Sequence, residues 1–188
     1  MDTKRRCLWC NLNNPKYVAY HDNEWCRLRT DDHYLLEMLI LESFQAGLSW
    51  ECVLNKREAF EEAYDGFDLD KICLYGDEKK QELMENPGII RNRLKINASV
   101  NNAVIFHRIV SEYGSFWNYL NRWIGDRTFY EIGLATNQLS DAISKDLKER
   151  GMKFVGSTII YAYLQAIGVI YSHDEGCYLY KAQELKLR

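Results

Sequence analysis

Residues 77–114 read DEKKQELMENPGIIRNRLKINASVNNAVIFHRIVSEYG, and the fold turns on how this run is divided. A short helix, a break at Asn86, Pro87 and Gly88, and one long helix to about Glu112 account for it. Pro87 supplies no backbone N–H and pushes the residue before it out of helical angles, while Gly88 permits an unusual turn. Helix, tight turn, helix is therefore the predicted unit. Backbone N–H groups at such a turn and at the start of the next helix can hold a phosphate, and Arg91, Arg93 and Lys95 add positive charge nearby. The same turn also joins helices in bundles that never meet nucleic acid, so the motif alone leaves both readings open.

Outward from this unit the chain keeps helical spacing. TDDHYLLEMLILESFQAG offers Asp31 or Asp32 as cap of a helix that carries Leu35, Leu36, Leu39 and Leu41 and ends near Gly47. It is apolar on more than one side, which predicts a central, largely buried helix. Ser49 caps a further run in which Trp50, Val53, Leu54, Phe60 and Tyr64 recur at helical intervals. Shorter helices are predicted at Leu69 to Leu74 behind Asp68, at Ser115 to Trp123, at Ser140 to Arg150 and at Ser157 to Ile167, the last two closed by Gly151 and Gly168. Gly125 to Ala135 reads as an extended loop. There is no sustained strand-type alternation, internal repeat or flexible linker, so the reading is all-α, a single unit spanning 1–188.

Composition narrows the function classes. At 188 residues, 47% apolar and 27% charged, the chain is globular rather than disordered. No run of eighteen apolar residues occurs and the start MDTKRRCLWC lacks a secretory core, so an intracellular protein with no membrane association is expected. The six cysteines show no dense disulfide framework, and in a reducing compartment they read as free thiols or metal ligands. A net charge of -3 argues against coating nucleic acid by bulk attraction and still allows a local basic face. Five Trp and thirteen Tyr fit either an aromatic core or stacking on planar ligands.

Two sets of residues carry possible chemistry. Cys7 and His21 near one end, with His173 and Cys177 near the other, make a full tetrahedral donor set with no position left for substrate water, so a metal there would be structural. It would fasten two irregular termini together. The internal spacings match no standard finger, and separate core thiols and surface histidines remain the alternative. Glu42 lies in LILESFQAGLSW among apolar neighbours, so its carboxylate must reach solvent, find a partner or line a pocket. With Trp50 near it across the Gly47 turn, it would favour a cationic planar ring; a plain solvent-facing Glu is the competing reading.

These segments together resemble the 3-methyladenine DNA glycosylase I family, a branch of the helix-hairpin-helix DNA glycosylases. YVAYHDNEW (17–25), LESFQAGLSW (41–50), PGIIRNRLKI (87–96), KFVGSTIIYAYLQAIG (153–168) and HDEGC (173–177) carry the resemblance through nearly the whole chain. It implies an all-helical fold with a hairpin near 86–91 in a core of 31–168, and zinc-clasped terminal segments, 1–30 and 169–188. It implies one structural zinc on Cys7, His21, His173 and Cys177. The implied pocket glutamate falls on Glu42, the pocket aromatics on Tyr20 and Trp50 with Trp9 nearby, and the backbone grip on Gly88, Ile89, Ile90, Arg91 and Arg93. The implied activity is hydrolysis of the N-glycosidic bond of N3-methyladenine in double-stranded alkylated DNA by a monomeric, monofunctional enzyme that leaves an abasic site. Ser43 and Phe44 stand where the family usually has Gly-Gln, and Cys26 where it usually has Gly. A zinc-containing lesion sensor without catalysis is the alternative. The stretch RLKINASVNNAV after the hairpin holds no carboxylate, which leaves Glu42 as the one acid singled out.

Overall fold

Helix α2 (Asp32–Gln45) is the axis around which the other elements pack. Asp31 caps it, its side chain accepting from the Tyr34 N–H, and every residue from Leu35 to Phe44 is buried. The structure, a computed structural model, describes residues 4–181; residues 1–3 and 182–188 of the expected terminal clasp lie outside the described residues. Against α2 pack α3 (Trp50–Leu54), the long α7 (Arg93–Tyr113), α8 (Phe116–Ile124) and α10 (Ser157–Ala166). Each fully buried Leu, Ile or Phe contributes about 1.5–3 kcal/mol, so the apolar length of α2 explains its central place. Helices α5 (Leu69–Cys73) and α6 (Asp77–Glu85) lie on α7, and α9 (Gln138–Glu149) lies on α10 and α8. The architecture is all-α. Among the described residues no helix is long and apolar enough to cross a membrane.

Three departures from the sequence reading have physical causes. The run expected after Ser49 splits into α3 and α4 (Arg57–Ala63) at Asn55 and Lys56, where Lys56 leaves helical angles (φ -103°, ψ 1°). Its ammonium is taken by the carbonyls of Pro87 and Gly88, at 3.3 and 3.0 Å. A helix not foreseen, α1 (Pro15–Asn23), is started by Asn14, which accepts from the N–H groups of Lys16 and Tyr17, and by Pro15 in the first turn. The stretch read as a loop contains β1 (Phe129–Tyr130), which pairs in parallel with β2 (Ile170–Tyr171) in the register Phe129 to Ile170. Two residues per strand leave the fold class unchanged.

The two ends of the chain meet on one side of α10. The N–H of Cys26 donates to Gln165 O and that of Arg29 to Ile167 O, both at 3.0 Å, so residues 26–29 lie flat against the end of α10. Gly168 makes this approach possible. It has φ +80°, and a Cβ there would stand 2.2 Å from the backbone of Arg27 and Leu28. Cys26 itself adopts φ 61°, a left-handed conformation that costs a side-chain-bearing residue roughly 1 kcal/mol. Its Sγ accepts from the Ser172 N–H at 3.2 Å. Gly168→Ala is expected to lower stability by about 3 kcal/mol or more, read as a fall in thermal midpoint.

Candidate active site and metal centre

Helix α1 carries His21 in its last turn, Cys7 precedes that helix, and His173 and Cys177 follow β2. Their four donor atoms lie within 4.8 Å of one another and all four residues are buried. Cys7 Sγ stands 3.4 Å from His173 Nδ1, and Cys177 Sγ stands 3.5 Å from His21 Nε2 and 3.6 Å from His173 Nδ1. For a tetrahedral ion bound at ordinary Zn–S and Zn–N lengths, the sulfur-to-nitrogen edge is about 3.5 Å. The cluster therefore has the dimensions of a metal site.

Its surroundings fit the same reading. Asp22 Oδ1 lies 2.8 Å from His21 Nδ1, and Arg6 grips that carboxylate at 2.7 and 2.8 Å, leaving Nε2 of His21 for a metal. The N–H groups of Asp174 and Leu179 donate to Cys7 Sγ and Cys177 Sγ at 3.3 and 3.4 Å. Burial, aided by the neighbouring His21, holds His173 down to about 4, so its ring is neutral and its lone pair free. Burial raises the Cys7 thiol above its ordinary range. A bound dication reverses that preference and holds thiolates in place.

Beside the cluster opens a cavity of about 300 Å³. Glu42 comes to it from α2, Trp50 from the start of α3 and Tyr20 from α1, the last two rings 5.2 Å apart. Trp9 and Trp25 meet edge to face at 4.6 Å and also line it. Trp25 touches the His173 ring at 4.8 Å, which joins the pocket wall to the metal cluster. Glu42 is 3% exposed, and among the described residues its Oε2 has no hydrogen-bond partner; neither has the Trp50 indole N–H. Burial pushes the Glu42 carboxyl up to about 8. The cavity thus presents a buried acid and aromatic faces, an arrangement that suits a planar cation.

Several lining residues were not singled out by sequence. Tyr17 stands three residues before Tyr20 on the same helix and Trp25 ends the same motif, so their signal was present. Gln45, Gln165, Leu134 and Asp174 gave none, because only the tertiary fold brings them to the cavity. Asp174 adds a second carboxylate to the one read from sequence. Ser43 and Phe44 are not among the lining residues. Phe44 is in the core against Phe60 at 4.8 Å, and the Ser43 hydroxyl is buried without a partner.

The hairpin is braced from both sides. Asn86 Oδ1 accepts from the Gly88 N–H at 2.8 Å, so that amide serves the turn itself, and a Cβ on Gly88 would crowd Asn86 and Ala59 at 2.9 and 3.0 Å. Ile89 is buried and anchors the turn. The N–H groups of Ile90 and Arg91 make no hydrogen bond among the described residues, and the side chains of Arg91 and Arg93 are exposed without an ion pair there. Lys95, in the first turn of α7, is buried and donates from Nζ to Phe44 O at 2.9 Å and Ala46 O at 2.6 Å. Carbonyls at a helix C-terminus lack intrahelical partners and carry the negative end of the dipole. Lys95 therefore pins the end of α2, and with it the pocket, to the hairpin. Among the described residues no lysine lines the cavity.

Several known proteins resemble this chain along most of its length. Residues 9–180 match the family model described as methyladenine glycosylase. The chain is 41% identical over 182 residues to DNA-3-methyladenine glycosylase 1 of Escherichia coli, covering 93% of this chain and 96% of that protein. It is similar to a crystal structure of 3-methyladenine DNA glycosylase I, with TM-score 0.89 and 38% identity over 94% of this chain and all of that one. It is also similar to a variant of 3-methyladenine DNA glycosylase I crystallised with 3-methyladenine, with TM-score 0.87 and 31% identity over 92% of this chain and 96% of that one.

The buried acid has a consequence for stability. An acid whose proton is held more tightly folded than unfolded favours the fold at low pH and loses that contribution as pH rises through the folded value. For Glu42 the window runs from about 4.5 to about 8. Glu42→Gln is expected to leave the thermal midpoint unchanged near pH 4 and to raise it progressively up to pH 8, a gain in stability of about a few kcal/mol at most, as paired melts across pH will show.

Proposed function

The chain belongs to the methyladenine glycosylase family, and from that premise we propose how its residues divide the work. It is a monofunctional DNA glycosylase that hydrolyses the N-glycosidic bond of N3-methyladenine in alkylated DNA. The observation that carries the division is the buried Glu42 carboxyl, one oxygen of which has no partner among the described residues, at a cavity walled by aromatic rings. Methylation at N3 makes the base cationic and a good leaving group, so the tasks left to the protein are extrusion, recognition and supply of water. Flipping the nucleotide costs a few kcal/mol, least at a damaged pair. Once the base is seated, Glu42 gives up its proton and accepts hydrogen bonds from the adenine edge. Trp50 stacks on the ring, with Tyr20 and Trp9 closing the remaining sides.

The hairpin holds the strand. The free N–H groups of Ile90 and Arg91 face a phosphate, with Gly88 and Ile89 shaping the turn, and Arg91 and Arg93 supply charge. Leu48, 41% exposed in the turn between the cavity residues Gln45 and Trp50, fills the space the extruded nucleotide leaves. Among the described residues no lysine lines the cavity to attack the sugar, in keeping with base release that leaves an abasic site. Zinc is the ion that two thiolates and two imidazoles select; Cys7, His21, His173 and Cys177 fill its coordination, so it contributes folding energy and takes no substrate. We place the enzyme inside the cell, where its double-stranded substrate is, acting as a monomer.

Purified protein incubated with duplex carrying N-methylated purines is expected to release N3-methyladenine, identified by mass spectrometry. Glu42→Gln should cut the single-turnover rate by roughly 100-fold or more; an unchanged rate would remove Glu42 from the pocket chemistry. Arg91→Ala should weaken duplex binding and reduce the slope of log K against log salt by about 1. Stripping the metal, or Cys177→Ser, should lower the thermal midpoint, and metal analysis of the untreated protein should find one zinc per chain.

A further inference from the structure

The cavity holds two carboxylates in unlike surroundings. Asp174 lies between His173 and Cys177 in the chain, yet it is among the residues that line the same cavity as Glu42. Glu42 is deeply buried with one oxygen unpartnered. Asp174 is half-buried, and its Oδ2 accepts from the Leu8 N–H at 2.8 Å. Backbone bonds from Asp174 N–H to Cys7 Sγ and from Cys177 N–H to Asp174 O hold the residue at both ends. Its other oxygen, Oδ1, has no hydrogen bond among the described residues. A negative group is thus held rigidly on the more open part of the wall.

The reaction explains what a charge there would do. In the bound lesion the positive charge resides on the base, against Glu42. When the C1′–N9 bond breaks, its electron pair leaves with the base, which departs as neutral N3-methyladenine, and the positive charge passes to the deoxyribose as an oxocarbenium ion. Water oxygen then bonds to C1′ and its proton goes to solvent, completing the abasic sugar. Glu42 seats the base for reaction, but its hold weakens as the bond breaks, and only interactions that strengthen toward the transition state lower the barrier further. A carboxylate facing the sugar strengthens as the bond breaks. The base enters the buried end first, and the sugar, still joined to the strand, stays at the more open part where Asp174 lies.

We propose that Asp174 is a second catalytic carboxylate, facing the deoxyribose and stabilising the oxocarbenium ion that forms as the alkylated base leaves. The assignment rests on the glycosylase reading above.

The test uses the zinc-loaded full chain and two duplexes that carry, in place of the damaged nucleotide, either a cationic pyrrolidine or its neutral tetrahydrofuran counterpart. The unmutated protein is expected to bind the pyrrolidine duplex roughly 10-fold more tightly or better. That preference should persist in Glu42→Gln and collapse in Asp174→Asn, whose amide oxygen still accepts from Leu8. Single-turnover release of N3-methyladenine should fall roughly 10- to 100-fold in Asp174→Asn and recover in part in Asp174→Glu. Unchanged preference and rate in a zinc-replete Asp174→Asn protein would overturn the assignment. So would tighter binding of both duplexes with faster release, which would mark Asp174 as merely repelling phosphate. If Asp174→Asn fails to fold, equal affinity of the unmutated protein for the two duplexes overturns the assignment without it. Failure of the underlying reading has a separate signature, no base release from the unmutated protein.

Discussion

A carboxyl group buried in the middle of the central helix, with one oxygen bonded to nothing, costs stability that the rest of the fold must offset. An unsatisfied buried polar group costs about 1–3 kcal/mol, and an ionised one far more. Glu42 meets that cost by keeping its proton when the cavity is empty. The end of the cavity at Glu42 therefore starts as a neutral, aromatic-walled space. On the reading proposed above it becomes ion-pairing only when a cation arrives, and preference for a charged base over a neutral one would follow, since a neutral base gives Glu42 no reason to ionise.

Such a pocket works only if its walls stay in place, and the walls come from distant parts of the chain. Tyr17 and Tyr20 sit on α1, Trp9 before it, and Ser172 and Asp174 after β2. Little regular structure joins these pieces. The Cys7, His21, His173 and Cys177 cluster joins them instead, supported by the flat contact of residues 26–29 with the end of α10. The edge contacts of Trp25 with Trp9 and His173 carry that rigidity from the cluster to the pocket wall. The donor cluster and the cavity are one packed unit, although they have different chemistry.

The joint between pocket and strand grip is made by two lysines. Lys56 reaches from the break between α3 and α4 to the carbonyls of the hairpin turn, and Lys95 reaches from the hairpin's second helix to the carbonyls ending α2. Each amine satisfies carbonyls left over at a turn or helix end. Together they tie the hairpin to the element that carries Glu42 and leads to Trp50. On the reading proposed above, a base would reach the pocket at a fixed distance from a phosphate held at the hairpin.

Much of this was legible in the residues themselves. Spacing marked α2, α5, α7 and α8, with Asp31 and Asp68 read ahead of the first two, because such signals are local: each of these Asp side chains accepts from an N–H two or three residues away, as do Asn92 and Ser115, which were not singled out as caps. Glu42 stood out because an acid in an apolar helix is costly wherever it lies. The donor set of Cys7, His21, His173 and Cys177 could be listed, but its edge lengths belong to the fold. Helix α1 was hidden by a polar, aromatic sequence whose apolar stripe is too short to show periodicity, and β1 and β2 by having two residues each. Asp174 could not be read as a pocket residue at all. Its neighbours in sequence are metal ligands, and its neighbours in space are set by long-range packing of the two chain ends. Local hydrogen bonding and the cost of burying charge are written in sequence; which distant side chains share a cavity is decided only when the core closes around it.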